Sequence, residues 1–457
     1  MTTKLFNILF LISLFFFTAC SNSEYIDGAQ TDNYCAVEED SVSPTYDNQT
    51  SDNSIKSPQD NDDCITQQEQ TYIPLNDSEY PYAGIPRIVI ETANYQKIKD
   101  RETEVPAKAQ FWGKDSPSSD IMELTIRGRG NTSWFSPKKA YKIEFSQKQQ
   151  LLGMPANRDW ALIPNYADKT LMKNYLMYHL SAKLGAYYSP RCEFAELYLN
   201  GDYLGIYLLT ETIKIAKKRI NIPENSESYV VEFDGKLRED EQAVYSSVIN
   251  PTGKNFRIHD PKNASNEVLS TIDEYIHSFE TFLIDIKKDQ DNNLNQWIDI
   301  DECVKHYWVQ EFSKNPDAIF FTSVFFSWTK GGLIKMGPVW DFDLSFGSHN
   351  NESINTTENW YLKISYWNIY IFRDSVAKQA RIDFWKEHRD QFVKTLDDAD
   401  SICTLLQNAA KNNFKRWNIL SRTEYAYHRH AYDSYEEAVE DLKNWIRARI
   451  KWIDENI

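Results

Sequence analysis

A chain of 457 residues with 67 acidic and 50 basic side chains carries a net charge of −17. That balance weighs against a duplex nucleic-acid binder, whose phosphates call for Lys and Arg. Six cysteines at this length exclude a disulfide-built scaffold, and 41% hydrophobic residues are enough to fill a core.

Residues 1–20 read as a bacterial export signal: Lys4 opens it, Leu5 to Phe17 is almost wholly apolar, and Phe17-Thr18-Ala19-Cys20 closes it. Small residues before a cysteine resemble a lipobox, so Cys20 is the expected lipidation site. Ser21-Asn22, with no Asp, fits sorting to the outer membrane of a Gram-negative cell envelope. Residues 21–75 hold twelve acids and one lysine with few large apolar groups. Such a composition cannot offset its ordering entropy, so a flexible acidic tether is expected. Cys35 and Cys64 lie in it and are able to pair outside the cytoplasm. No C-x-x-C exists and the eight histidines show no metal spacing, which argues against zinc.

From 76 to 225 the pattern is extended. Arg87 to Glu91 and Ile121 to Ile126 are short apolar runs. Tyr141, Ile143 and Phe145 alternate with Lys142 and Glu144. Residues 168–184 have helical spacing and stop at Gly185. Asn200-Gly201 between alternating runs predicts a hairpin. After 226 helices dominate, over 267–286, 300–314, 375–420 and 435–457, with a strand-like aromatic stretch at 319–343 broken by Gly331-Gly332. The expected class is α+β, a strand-rich N-lobe over 76–225 and a helical C-lobe over 226–457 with an embedded hairpin.

Three segments place charge where a core would not. Arg127-Gly128-Arg129-Gly130 follows a strand; it reads as a phosphate cradle or as a solvated turn. Lys142 faces away from Tyr141 and Ile143, toward a phosphate-binding cleft or toward solvent, and Glu196 and Glu211 are able to pair with such a lysine. In Gly337-Pro-Val-Trp-Asp341-Phe-Asp343, two carboxylates at i, i+2 would share one side of an extended chain. Two like charges amid bulky apolar groups ask for a cation, and Mg²⁺ suits a few carboxylates plus phosphate oxygens. Asp317, in Asn315-Pro316-Asp317, takes a proton from a substrate hydroxyl or merely caps a turn.

Together these segments resemble the CotH kinase family. The pieces are IRGRGNTSWFSPKKAYKIEF (126–145), LNGDYLGIYLLTE (199–211), NPD (315–317), GPVWDFDLSFG (337–347) and the closing WIRARIKWIDENI (445–457). The resemblance implies an atypical protein-kinase-like two-lobed fold and transfer of phosphate from ATP to hydroxyls of exported proteins, with Mg²⁺ or Mn²⁺. It makes Asp317 the catalytic base, Asp341 a metal ligand with Asp343 beside it, and Lys142 with Arg127, Gly128, Arg129 and Gly130 the nucleotide-binding side. Many relatives carry Asn about five residues after the catalytic Asp, where this chain has Thr322-Ser323. That departure leaves room for a pseudokinase, a surface lipoprotein holding a glycan or protein partner. A metal-assisted hydrolase using Asp317, Asp341 and Asp343 is a third alternative.

Overall fold

The computed structural model describes residues 72–457, apart from 239, 240 and 426. The expected export signal, Cys20, Cys35, Cys64 and the expected tether up to residue 71 lie outside the described residues. The chain joins the fold slightly before the expected boundary: Ile73 is buried, and its N–H donates to Gln110 Oε1 at 2.8 Å.

Seven strands form a closed barrel: β1 (Arg87–Thr92), β2 (Val105–Trp112), β3 (Met122–Gly128), β4 (Tyr141–Gln149), β5 (Asn157–Ile163), β6 (Cys192–Leu199) and β7 (Asp202–Glu211). Their order is β1-β2-β3-β4-β5-β7-β6, and a parallel β1–β6 pairing closes the ring. The alternation in β4 sets its register: Tyr141, Ile143 and Phe145 fill the barrel with Trp160 and Leu162, while Lys142 and Glu144 point outward. The hairpin lies where expected, with positive φ at both Asn200 and Gly201 between paired Leu199 and Asp202.

Two helices interrupt the barrel strands, a single turn α1 (Thr132–Phe135) and α2 (Lys173–Lys183). α2 begins five residues later than the spacing suggests. The Asp168 carboxylate accepts the N–H groups of Thr170 and Lys173, both at 2.9 Å, and so turns the chain before the helix starts.

The second half differs from expectation in holding a five-stranded antiparallel sheet of order β12-β11-β8-β10-β9. Its strands are β8 (Ser228–Phe233), β9 (Ala243–Ser246), β10 (Lys254–Asp260), β11 (Val324–Thr329) and β12 (Lys335–Met336). Only β11 and β12 fall in the foreseen strand-like stretch. β8 is buried along its whole length, so it shows no alternation. The helices of this half are α3 (Asn266–Ile284), α4 (Ile300–Ser313), the short α5 (Glu352–Asn355) and α6 (Tyr366–Ile371), then α7 (Ser375–Val393), α8 (Thr395–Arg416) and α9 (Tyr435–Asn456); α3 packs on β9 and α4 on β12. Ser265, Asp299, Asp374 and Ser434 cap α3, α4, α7 and α9 by accepting backbone N–H groups. α8 lies on the barrel, where Asn413 Oδ1 accepts from Ile206 N and from the buried Lys138 Nζ. Among the described residues no helix is long and apolar enough to cross a membrane.

Candidate functional site

The site is built where α4 ends. Lys314 takes left-handed backbone, and the chain then turns through Asn315-Pro316 to Asp317. Asn315 Nδ2 lies 3.0 Å from Asp341 O, 3.3 Å from Trp340 O and 3.0 Å from Gln310 Oε1, tying the two motifs together. Asp341 itself has φ 64°, so residues 337–347 form a loop and not the extended strand that the i, i+2 argument assumed. The two carboxylates converge through that turn. Asn174 on α2 holds the loop from the other side: its Oδ1 accepts Phe342 N–H at 2.8 Å and its Nδ2 donates to Asp343 Oδ1 at 2.9 Å. Neighbouring Lys173 donates to Ser345 O at 3.0 Å.

Asp317, Asp341 and Asp343 are each half-buried and act on one another. Burial raises the Asp317 carboxyl to about 6, opposed by Lys236 and reinforced by Asp343. Burial and then Asp317 raise Asp341, against the pull of its hydrogen bond to Asp343 and of Arg129. Burial and then Asp341 bring Asp343 to about 7, with Asn174 working the other way. Loss of solvation on burial is the main origin of all three shifts, and the neighbouring carboxylates add to it. No three Asp, Glu, His or Cys groups among the described residues lie together closely enough to cage an ion. The donors nevertheless suit Mg²⁺ bound with a phosphate: two hard carboxylates side by side, each made costly to ionise by burial and by its acidic neighbours.

The barrel contributes cations. Arg129 reaches over Trp340, 5.3 Å from the ring centroid, and attracts Asp341 and Asp343. Arg127 lies opposite Lys142 across β3 and β4. Lys142 is engaged by Asp159 at 3.0 Å and Glu144 at 3.1 Å. Glu196 and Glu211 do not pair with it: Glu211 binds Arg191, and Glu196 accepts from Tyr203 and Asn412. The glycines do a different job from the one expected of a cradle. Gly128 N–H donates to Asp100 O at 2.9 Å and Arg129 N–H to Ala140 O at 3.1 Å, so neither is free for an anion. A Cβ at Gly128 would come within 2.4 Å of Trp134, which makes its glycine a matter of packing. Gly130 takes φ 78° beside Ser133. Arg127 donates to Arg101 O and to Gly128 O at 3.2 Å and lies 3.8 Å from Glu104, while Arg129 is the guanidinium of this segment whose charge acts on Asp341.

Thr322 and Ser323, where the family resemblance leads one to expect Asn, face the second sheet. Thr322 Oγ1 lies 3.3 Å from Asp234 Oδ1, and Ser323 N–H donates to Glu232 Oε1 at 3.2 Å. Lys173, Asn174 and Lys236 were not foreseen as site residues. Polar side chains in the first turn of α2, just ahead of Leu176 and Met177, are the one signal that marks Lys173 and Asn174, and both are nearly fully buried. Helix α9 underpins the whole. Arg449 binds Glu311 at 2.7 Å with both side chains wholly buried, and Glu311 also accepts the N–H groups of Tyr361, Leu362 and Lys363. Trp445 meets Phe346 edge to face at 5.4 Å. The remaining cysteines, Cys192, Cys303 and Cys403, are free.

A family profile described as CotH kinase protein matches residues 126–453. Inner spore coat protein H of Bacillus subtilis (strain 168) is 24% identical over 252 residues, covering 52% of this chain. The chain spans 65% of the length of that curated relative.

Proposed function

Since the chain belongs to the CotH kinase family, we propose that it transfers phosphate from ATP to hydroxyl side chains of exported proteins, in a two-lobed kinase-like arrangement. The barrel supplies cations for the phosphates, and the second half supplies the carboxylates. The observation carrying this reading is the convergence of Asp317, Asp341 and Asp343 beside Arg129 and Lys236. With a carboxyl near 6, Asp317 is mostly ionised at pH 7 and basic enough to accept a proton. The acceptor oxygen attacks the γ-phosphorus, its proton passes to Asp317, and the bond to the β,γ-bridging oxygen breaks with its electron pair leaving on ADP. Asp341 and Asp343 would hold a divalent cation, Mg²⁺ or Mn²⁺, whose chemistry is to neutralise charge on the phosphate oxygens. A lipid on Cys20 and the acidic tether would place the domain at the cell envelope.

One observation favours the non-catalytic alternative, a pseudokinase holding a glycan or protein partner. The Thr322 hydroxyl is turned to Asp234, leaving no amide carbonyl there for a second cation. The full chain with labelled ATP and Mg²⁺ separates the two. A kinase labels itself or an added protein, Asp341→Asn abolishes metal-dependent nucleotide binding, and Asp317→Asn binds nucleotide but transfers about 10²–10⁴-fold more slowly. Equal nucleotide binding by wild type and Asp341→Asn, or none by either, would overturn the metal-site reading. Phosphate release with no acceptor labelled would indicate the hydrolase.

A further inference from the structure

We infer that Lys236 grips the transferring phosphoryl group, the task for which Lys142 is the residue the family pattern suggests. The inference rests on the phosphotransferase reading and adds a residue to it.

The ammonium groups of Lys142, Lys173 and Lys138 are committed. Lys142 is held between Asp159 and Glu144. Lys173 is spent on the backbone of the Asp343 loop, and Lys138 is buried against Ile206 O and Asn413. Lys236 is different. Its side chain is exposed, and no carboxylate lies within ion-pair distance of it among the described residues, yet its charge acts on both Asp317 and Asp341.

The backbone fixes it there. Phe321 N–H donates to Asp317 O at 3.1 Å, and Gly235 N–H donates to Phe321 O at 2.7 Å. Lys236 therefore sits one residue beyond a hydrogen-bonded chain that begins at Asp317. A Cβ at Gly235 would lie 2.9 Å from Phe321 O and 2.8 Å from its ring, so the contact needs glycine. Asp234 Oδ1 accepts Lys236 N–H at 2.8 Å, and the ammonium lies 5.5 Å from the Phe321 ring centroid. The turn is clamped while the charged end stays open.

A phosphoryl group in transit spreads negative charge over three oxygens, here among three carboxylates. A compact cation with three donors, exposed, acting on Asp317 and Asp341 and with no carboxylate partner among the described residues, offsets that repulsion in the transition state more than in the bound ground state. Lys236 donates to a non-bridging γ-oxygen and exchanges no proton.

The test uses the full chain with Lys236→Ala and Lys236→Arg, reading ADP formation from ATP and calorimetric binding of ADP with and without aluminium fluoride. Lys236→Ala should lower kcat about 100-fold with KM for ATP changed less than about 3-fold, and should weaken ADP–aluminium fluoride about 30-fold or more while ADP alone binds normally. Lys236→Arg should recover about 10-fold or more of the lost rate, a recovery a purely structural role would not give. Wild-type kcat and aluminium fluoride affinity in Lys236→Ala, or loss of ADP binding with KM rising in step, overturns the assignment alone. A wild type that binds no nucleotide and makes no ADP overturns the phosphotransferase reading, and the assignment with it.

Discussion

Asp343→Asn in metal-free protein should raise stability at alkaline pH and leave it nearly unchanged in acid. The Asp343 carboxyl titrates at about 7 against an ordinary 3.8, because it is buried beside Asp341. The folded chain thus keeps a proton that the unfolded chain has released. That contribution is complete below pH 4 and is lost as pH rises toward 7. Three units at 1.36 kcal/mol each bound the loss at roughly 4 kcal/mol. The amide keeps an acceptor for Asn174 Nδ2 and carries no charge, so about 1–3 kcal/mol of that bound should be recovered at pH 8. A chain of this size shifts its melting temperature by about 2 °C per kcal/mol or less, so the expected rise is about 2–5 °C. Scanning calorimetry in chelator at pH 5 and pH 8 reads it directly. A variant that melts below wild type at pH 8, or one shifted equally at both pH values, would refute the reasoning. Mg²⁺ with ATP should then stabilise wild type and not the variant.

Asn174→Ala removes both ties to the Asp343 loop and leaves Phe342 N–H without its partner; it should cost about 1–3 kcal/mol in urea unfolding and lower the affinity for Mg²⁺-dependent nucleotide. Arg449→Ala strands the wholly buried Glu311 carboxylate and should cost about 3–5 kcal/mol, whereas replacing both partners with apolar residues of similar volume should cost less, as a double-mutant cycle will show. Cys20→Ala should abolish lipid attachment; a variant still carrying diacylglycerol by mass spectrometry would remove the envelope-anchoring expectation.

Several barrel strands were legible from short apolar or alternating runs, most cleanly β4. Lys142 among Tyr141, Ile143 and Phe145, and Asn200-Gly201 between two runs, each carry a local rule that tertiary structure had no reason to override. The sheet β8-β10-β9 was not legible. Ser228–Phe233 is covered on both faces, and Lys254–Asp260 is largely polar; each becomes a strand through its partners more than through its own composition. The candidate carboxylates were found by their chemistry, but for a wrong geometric reason. Extended alternation does not unite Asp341 and Asp343; a left-handed turn pinned by Asn315 and Asn174 does. Such pinning residues lie 26 and more positions away in sequence, and no local pattern announces them. Lys236 was missed likewise, since its link to Asp317 runs through backbone groups of Phe321 and Gly235.

The buried Arg449–Glu311 pair bears on the order in which this protein comes into being. Arg449 lies in α9, and it also donates to the carbonyls of Thr357 and Asn359, while Trp445 donates to Asn355 O. Glu311 stands just ahead of the turn that presents Asp317. Until α9 has left the ribosome, that carboxylate lacks the Arg449 guanidinium and the loop beneath the site has no floor. A nascent chain halted within its last twenty or so residues would hold every acidic group of the site and still be unable to assemble it.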